Sequence, residues 1–133
     1  MSTGLLRILL ADDDLEDLEL IEDSIKLIEP SAILHKEYNG KAVLDYLARI
    51  SDKELPCLIV LDYNMPELKG SEVLAELCVQ PRFTEIPKVI LSTSSSWIYI
   101  KECMDNGATE YMVKPTNWND MENLSKKLLS YCS

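Results

Sequence analysis

The chain has 133 residues, 47% of them hydrophobic, which is enough for one compact domain with its own core. Thirteen Lys and Arg residues against 23 Asp and Glu residues give a formal net charge of −10, which argues against tight binding to nucleic acid or to an anionic membrane surface. No segment approaches the roughly 20 consecutive apolar residues of a membrane-spanning helix, so we expect a cytoplasmic protein.

Strands and helices are predicted to alternate from the start of the chain. The first strand covers residues 5–11 and is apolar except for Arg7. A helix follows it, with acidic residues opposite an apolar stripe. That stripe consists of Leu15, Leu18, Ile21, Ile25 and Ile28. The second strand, residues 32–38, has a more mixed composition, and the helix after it is marked by Val43, Leu44 and Leu47.

The same alternation continues to the end of the chain. Residues 57–61 and 89–91 form two further apolar strands, and residues 110–113 form a mixed fifth strand. Apolar residues at helical spacing follow each of them. They are Val73, Leu74 and Leu77 in the third helix, Ile100, Cys103 and Met104 in the fourth, and Trp118, Met121, Leu124, Leu128 and Tyr131 in the fifth.

This pattern predicts a (βα)₅ domain of the α/β class. The apolar strands suit the middle of a parallel sheet and the two mixed strands suit its edges. Right-handed crossovers then favour the strand order 2-1-3-4-5, with helices on both faces of the sheet. We therefore expect a three-layer flavodoxin-like fold in a single domain over residues 1–133.

The cysteines suggest no cross-link and no zinc site. Cys57, Cys78, Cys103 and Cys132 are irregularly spaced, no CxxC pair occurs, and His35 is the only imidazole. We therefore predict neither bound zinc nor a structural disulfide.

Polar residues follow four of the strands directly, where ligands bind in open parallel sheets. Asp12, Asp13 and Asp14 follow the first strand, Asp62 the third, Ser92 and Thr93 the fourth, and Lys114 and Pro115 the fifth. With strands one, three and four adjacent, these groups should converge on one pocket.

Clustered carboxylates repel each other unless a cation neutralises them. Mg²⁺ fits a shallow acidic pocket, since it takes one or two carboxylates and keeps several waters, whereas the ligand spacing of an EF-hand calcium loop is absent. Lys114 adds a second positive charge. A metal and a lysine beside one carboxylate suit phosphoryl transfer, with Asp62 as the nucleophile that forms an aspartyl phosphate.

Four segments together resemble the receiver domain of two-component response regulators, and the resemblance runs over almost the whole chain. The segments are ILLADDD, LIVLDYNMPELKG, IPKVILSTSS and YMVKP. The chain is most similar to the small single-domain regulators of the chemotaxis type and those partnered with phytochrome-type kinases. The resemblance implies a receiver domain without an output domain, which assists its own phosphorylation and dephosphorylation but is not otherwise an enzyme.

The resemblance also implies a role for individual residues. Asp13 would bind Mg²⁺ directly, Asp12 would support it largely through water, and Asp62 would be both phosphoacceptor and metal ligand. The backbone carbonyl of Asn64 would supply another ligand.

Three further positions would respond to the phosphoryl group. Ser92 would hydrogen-bond the phosphoryl oxygen, Lys114 would pair with the phosphoryl group, and Tyr111 would move inward as the switch aromatic residue. The Lys114–Pro115 peptide is expected to be cis. The implied donor is a phosphohistidine on a sensor kinase or a histidine phosphotransfer protein, and the output is contact with another protein, with no role for nucleic acid or membrane.

Several alternatives stay open at this point. The Asp12–Asp14 run is also typical of a helix N-cap, Thr93 is an alternative to Ser92, and Tyr111 fits an ordinary half-buried position. A phosphatase of the haloacid-dehalogenase type is disfavoured because Asn64 cannot act as its general acid. A flavodoxin-like electron carrier is disfavoured because the acidic run would repel a flavin phosphate. A receiver-like interaction module that works without phosphorylation is the main competing hypothesis.

Overall fold

The computed structural model describes residues 6–132, in which five strands alternate with five α-helices. Leu5 and the predicted domain limits at residues 1 and 133 lie outside the described residues. The elements are β1 (Arg7–Ala11), α1 (Leu15–Ile28), β2 (Ile33–Glu37), α2 (Gly40–Arg49), β3 (Leu58–Asp62), α3 (Gly70–Cys78), β4 (Lys88–Ser92), α4 (Trp97–Asp105), β5 (Glu110–Val113) and α5 (Trp118–Ser130). Within this range no helix is both long and apolar enough to cross a membrane.

The five strands form one parallel sheet in the order β2-β1-β3-β4-β5. This confirms the predicted flavodoxin-like topology, with the two mixed strands at the edges. The register aligns the strand ends, since Ala11 lies beside Leu61, Asp62 beside Leu91, and Ser92 beside Val113. Whatever follows β1, β3, β4 and β5 is therefore brought to one edge of the sheet.

Two apolar layers cover the sheet, because successive side chains of a strand point to opposite faces. In β1, Leu9 packs on the side of α2, α3 and α4, whereas Ile8 and Leu10 pack on the side of α1 and α5. All three side chains are buried. Strand β3 is buried along its whole length, which explains why its sequence is apolar without alternation.

Helix α3 begins very close to the end of β3. A Cβ atom on Gly70 would lie 2.6 Å from the backbone oxygen of Asp62, so only glycine fits this approach. The Gly70 amide donates a hydrogen bond to the carbonyl of Tyr63 at 2.8 Å. These contacts close the loop between β3 and α3 tightly beside the acidic edge.

The prediction that the cysteines form no disulfide is wrong. Cys57 and Cys132 are bonded, with Cα atoms 5.2 Å apart, although 75 positions separate them in sequence. The bond joins the residue before β3 to the end of the chain after α5 and lies at the opposite end of β3 from Asp62. Cys78 is free and exposed, and Cys103 is free and buried. Spacing along the chain carried no sign of this pairing because the fold alone brings the two positions together.

Reduction of this disulfide is expected to lower the free energy of unfolding by about 4 kcal/mol, because it frees a long loop in the unfolded chain. Urea denaturation with and without dithiothreitol measures the effect. Cys132→Ser should reproduce it, while Cys78→Ser, at a free and exposed position, should leave the midpoint nearly unchanged. Equal midpoints for oxidised and reduced protein would contradict the expectation.

Candidate functional site

The residues predicted to converge do meet at the carboxyl edge of the sheet. Lys114 Nζ lies 2.6 Å from Asp12 Oδ2 and 3.5 Å from Asp62 Oδ1. The Lys114 backbone amide also donates to the carbonyl of Ser92 at 2.7 Å, which fixes the start of the β5–α5 loop against β4. The lysine therefore reaches across β4 and β3 to the end of β1.

Three carboxylates form a compact cluster beside this lysine. One oxygen from each of Asp12, Asp13 and Asp62 lies within 4.8 Å of the other two. Asp12 and Asp62 are buried, whereas Asp13 is exposed. The cluster thus combines two desolvated acids with one that opens to solvent.

Burial dominates the electrostatics of the two inner acids. It raises the pKa of Asp12, an effect that the hydrogen bond from Lys114 partly offsets. It also raises the pKa of Asp62 to about 7, and the negative charge of Asp12 adds to this shift. Ionisation of both carboxylates is energetically unfavourable, because they are close together and have little water around them. The site therefore favours binding of an additional cation.

Lys114 supplies a fixed positive charge to the cluster. Burial lowers the pKa of its ammonium, but hydrogen bonds to Asp12 and Asp17 outweigh burial and raise the pKa above its usual value. Only 11% of the Lys114 side chain is exposed. It therefore stays protonated at neutral pH in a pocket from which water is largely excluded.

Asp17 is a site residue that the sequence analysis missed. It is one of the acidic residues opposite the apolar stripe of the first helix, yet its Oδ2 atom lies 2.8 Å from Lys114 Nζ. Periodicity defines the apolar stripe of α1 but not how the edge of its polar face meets β5. The one available signal was the position of Asp17 in the first turn of a helix that starts directly after a strand-end acid.

The three consecutive aspartates, residues 12–14, have two different roles. Asp14 caps α1, since its side chain accepts hydrogen bonds from the amides of Glu16 and Asp17 at 3.0 and 3.3 Å. Asp12 turns inward and accepts from the Asp14 amide at 2.9 Å as well as from Lys114. The N-cap interpretation therefore holds for Asp14, while Asp12 and Asp13 belong to the cluster.

The hydroxyl side of the pocket comes from the β4–α4 loop. Ser92 is buried and its Oγ accepts a hydrogen bond from the Ser94 amide at 3.1 Å, whereas Thr93 is exposed. Tyr111 is partly buried, and its hydroxyl donates to the Ser94 carbonyl at 2.7 Å. Tyr111 is thus tied to the loop that carries Ser92. Asn64 is exposed and lies in the β3–α3 loop, two residues after Asp62.

The expected cis peptide at Lys114–Pro115 is wrong for this structure, in which no described peptide bond is cis. The trans isomer is the intrinsically more stable form even before proline. The cis expectation came from the resemblance and had no independent support in the local sequence.

A second network that the sequence analysis missed connects the site to α4. The Tyr63 hydroxyl donates to Glu102 Oε1 at 2.8 Å, and Ser71 donates to the other oxygen of the same carboxylate. The Tyr63 ring also stacks on Tyr99, with ring centroids 4.6 Å apart. The residue directly after Asp62 is therefore in contact with two successive turns of α4.

The fold and this acidic edge agree with the family comparison. Residues 8–126 match the family model of the response regulator receiver domain. The chain therefore belongs to this family, whose members are signalling domains of two-component systems rather than classical enzymes. Membership rules out the phosphatase and electron-carrier alternatives.

Similar proteins include regulatory proteins of Arabidopsis thaliana and Methanothrix harundinacea. The two-component response regulator ARR17 of Arabidopsis thaliana is 32% identical over 133 residues, covering 94% of this chain and 86% of ARR17. The probable methanogenesis regulatory protein FilR2 of Methanothrix harundinacea is 29% identical over 127 residues, covering 93% of this chain and 81% of FilR2.

Solved structures agree with this assignment. The Mn²⁺-bound form of the response regulator Rcp1 superposes with a TM-score of 0.82 at 28% identity, covering 96% of this chain and 94% of Rcp1. The phosphorylated cyanobacterial phytochrome response regulator RcpA gives a TM-score of 0.86 at 27% identity, with the same coverage. The similarity to phytochrome-associated regulators noted in the sequence therefore extends to the three-dimensional structure.

Proposed function

We propose that the protein is a phosphorylation switch in which Asp62 accepts a phosphoryl group with the help of Mg²⁺. The observation that carries the proposal is the cluster of Asp12, Asp13 and Asp62 directly beside the Lys114 ammonium. The proposed donor is a phosphohistidine on a sensor histidine kinase or on a histidine phosphotransfer protein. Two similar structures, Rcp1 with bound Mn²⁺ and phosphorylated RcpA, support the same interpretation.

The carboxylate cluster fits a small, hard cation. Mg²⁺ prefers oxygen ligands at about 2.0–2.1 Å and keeps several waters, so it needs only a few protein oxygens within a short span. Asp12, Asp13 and Asp62 offer such oxygens, and the exposure of Asp13 leaves room for water. We assign Asp13 and Asp62 as direct ligands together with the Asn64 carbonyl, and Asp12 as a ligand largely through water. When bound, the metal supplies positive charge that neutralises the transferring phosphoryl oxygens.

The chain's own residues carry the transfer. An Asp62 carboxylate oxygen attacks phosphorus, forming a new O–P bond while the P–N bond of the phosphohistidine breaks. The departing imidazole nitrogen keeps the electron pair of that bond and takes a proton from solvent. Lys114, already within 3.5 Å of Asp62, neutralises charge on the phosphoryl oxygens without a change in its own protonation.

Phosphorylation of Asp62 then changes the conformation of the β4–α4 loop and of β5. A phosphoryl group with about −1.5 to −2 charges attracts the Ser92 hydroxyl and the Lys114 ammonium. Movement of Ser92 changes the loop whose Ser94 carbonyl holds Tyr111, and Tyr111 moves inward. We propose that the resulting surface of α4, β5 and α5 signals by contact with another protein.

Labelling with a small phosphodonor tests the proposal. Incubation of the purified protein with acetyl phosphate and Mg²⁺ should add the mass of one phosphoryl group, and base should remove it. Omission of Mg²⁺ in the presence of EDTA should prevent the addition. A protein that binds Mg²⁺ yet never acquires the label would favour the interaction module that works without phosphorylation.

Affinity for Mg²⁺ should rise with pH up to about pH 7 and then level off. Because the pKa of Asp62 in the metal-free site is raised to about 7, a proton competes with the metal below that pH. Each pH unit below 7 should weaken binding by up to tenfold. Titration followed by the fluorescence of Trp97 and Trp118, or calorimetry, measures this, and an affinity that is constant from pH 5 to 8 would contradict it.

A further inference from the structure

We infer that Asp17 is a positioning residue that holds the Lys114 ammonium in the unphosphorylated state and thereby opposes phosphorylation of Asp62. The inference rests on the proposed function and deepens it. It concerns the carboxylate of α1 that contacts Lys114 without belonging to the cluster of Asp12, Asp13 and Asp62.

The Lys114 ammonium lies closer to Asp12 and Asp17 than to the proposed acceptor. Its short hydrogen bonds go to Asp12 at 2.6 Å and Asp17 at 2.8 Å, whereas Asp62 lies at 3.5 Å. An ammonium group has three protons in total, and these two bonds occupy two of them. One proton remains for Asp62, and movement of Lys114 toward a phosphoryl group on Asp62 would lengthen its bonds to Asp12 and Asp17.

When a metal binds, Asp17 is the carboxylate that still competes with the phosphoryl group for the Lys114 ammonium. Asp12 and Asp62 lie in the carboxylate cluster, where a bound cation takes over part of their neutralisation. Asp17 stands apart from this cluster, and only 31% of its side chain is exposed. Its backbone is fixed, since the Asp14 cap bonds the Asp17 amide and the next residue, Leu18, is buried.

The net charge of the site with one divalent cation bound supports the same inference. Asp12, Asp13, Asp17 and Asp62 carry four negative charges, against three positive charges from Lys114 and one divalent cation. The incoming phosphodonor is itself an anion. The Asp17 charge therefore both repels the donor and retains the lysine that the phosphoryl group needs.

Asp17→Asn tests the inference against a matched control at the preceding residue. Glu16→Gln removes the same charge from the same turn of α1, but Glu16 is exposed and lies outside the set of carboxylates paired with Lys114. With saturating Mg²⁺, Asp17→Asn should lower the acetyl phosphate concentration for half-maximal phosphorylation about two- to fivefold, as expected for loss of one partly exposed ion pair. Glu16→Gln should stay near the wild type, and so should Asp17→Glu, which keeps the carboxylate.

A second readout needs neither metal nor phosphorylation. In EDTA, a small amine-acylating reagent should modify Lys114 about two- to fivefold faster in Asp17→Asn than in Glu16→Gln, as measured by peptide mass mapping. If Asp17 merely supported the fold, its replacement would reduce phosphorylation.

The outcomes separate the inference from the proposed function. Equal half-maximal concentrations for Asp17→Asn and Glu16→Gln, or a higher one for Asp17→Asn, would overturn the inference. Unchanged acylation of Lys114 would overturn it as well. Absence of labelling in the wild type would count against the proposed function instead, and the acylation comparison would still decide whether Asp17 restrains Lys114.

Discussion

Asp62→Asn is expected to abolish phosphorylation by acetyl phosphate while making the metal-free protein more stable. The amide of asparagine is not a nucleophile toward phosphorus, so no adduct should form at this position. The same change removes a buried negative charge next to Asp12, whose repulsion contributes to the raised pKa of Asp62. A loss of labelling with a gain of stability would distinguish a functional carboxylate from a structural one.

The gain of stability should depend on pH in a defined direction. Because the folded protein raises the pKa of Asp62 from 3.8 to about 7, the wild type loses stability as pH rises through this range, where the carboxyl group is ionised in the unfolded chain but still protonated in the folded one. Asparagine does not titrate. In EDTA, the free energy of unfolding of Asp62→Asn should therefore exceed that of the wild type by roughly 4 kcal/mol at pH 8, since about three pKa units at about 1.4 kcal/mol each are involved, and by little at pH 4.

Asp14→Asn is the matched control for this variant. It makes the same chemical change at the residue that follows Asp13 but lies outside the cluster, and asparagine caps a helix as well as aspartate does. Labelling and stability should therefore both remain near wild-type values, as measured by intact mass and urea denaturation. Persistence of a base-labile label in Asp62→Asn would move the acceptor to another residue, and a stability that is lower at pH 8 than the wild type's would contradict the electrostatic argument.

Lys114→Met is expected to lower the free energy of unfolding of the metal-free protein by about 4 kcal/mol at pH 8. Methionine keeps most of the length of the side chain but removes the only cation that contacts Asp12, Asp17 and Asp62 together in the described structure. Breaking a buried ion pair from one side leaves charge that neither water nor a partner compensates. Saturating Mg²⁺ should restore part of the loss, because it neutralises the same carboxylates.

A surface lysine provides the comparison for Lys114→Met. Lys101 pairs with Asp105 at 2.7 Å on α4, but 65% of its side chain is exposed. Lys101→Met should therefore change the free energy of unfolding by no more than about 0.5 kcal/mol, with or without Mg²⁺. Urea denaturation of both variants in EDTA and in Mg²⁺ measures the difference. Similar small losses for the two variants would show that Lys114 does not neutralise the cluster.

The architecture of this protein was predictable because the burial of each strand and helix determines which of its positions are apolar. Strands buried on both faces, such as β3, read as uninterrupted apolar runs, and the edge strands β2 and β5 read as mixed. Parallel topology then brings the residues that follow the strands together, so the sequence alone predicts that Asp12, Asp62 and Lys114 lie at one site. Their individual roles stay predictions that the labelling and stability measurements test.

The amino-acid sequence by itself determined the elements, their order in the sheet and the acids and lysine at its carboxyl edge. Only the tertiary structure decided three contacts. Asp17 forms an ion pair with Lys114, Glu102 on α4 accepts a hydrogen bond from Tyr63, and Cys57 forms a disulfide with Cys132. The physical reason is the same in each case. Periodicity records which face of an element is buried, but the contacts between distant polar side chains depend on how helices rotate and dock, which no local pattern encodes.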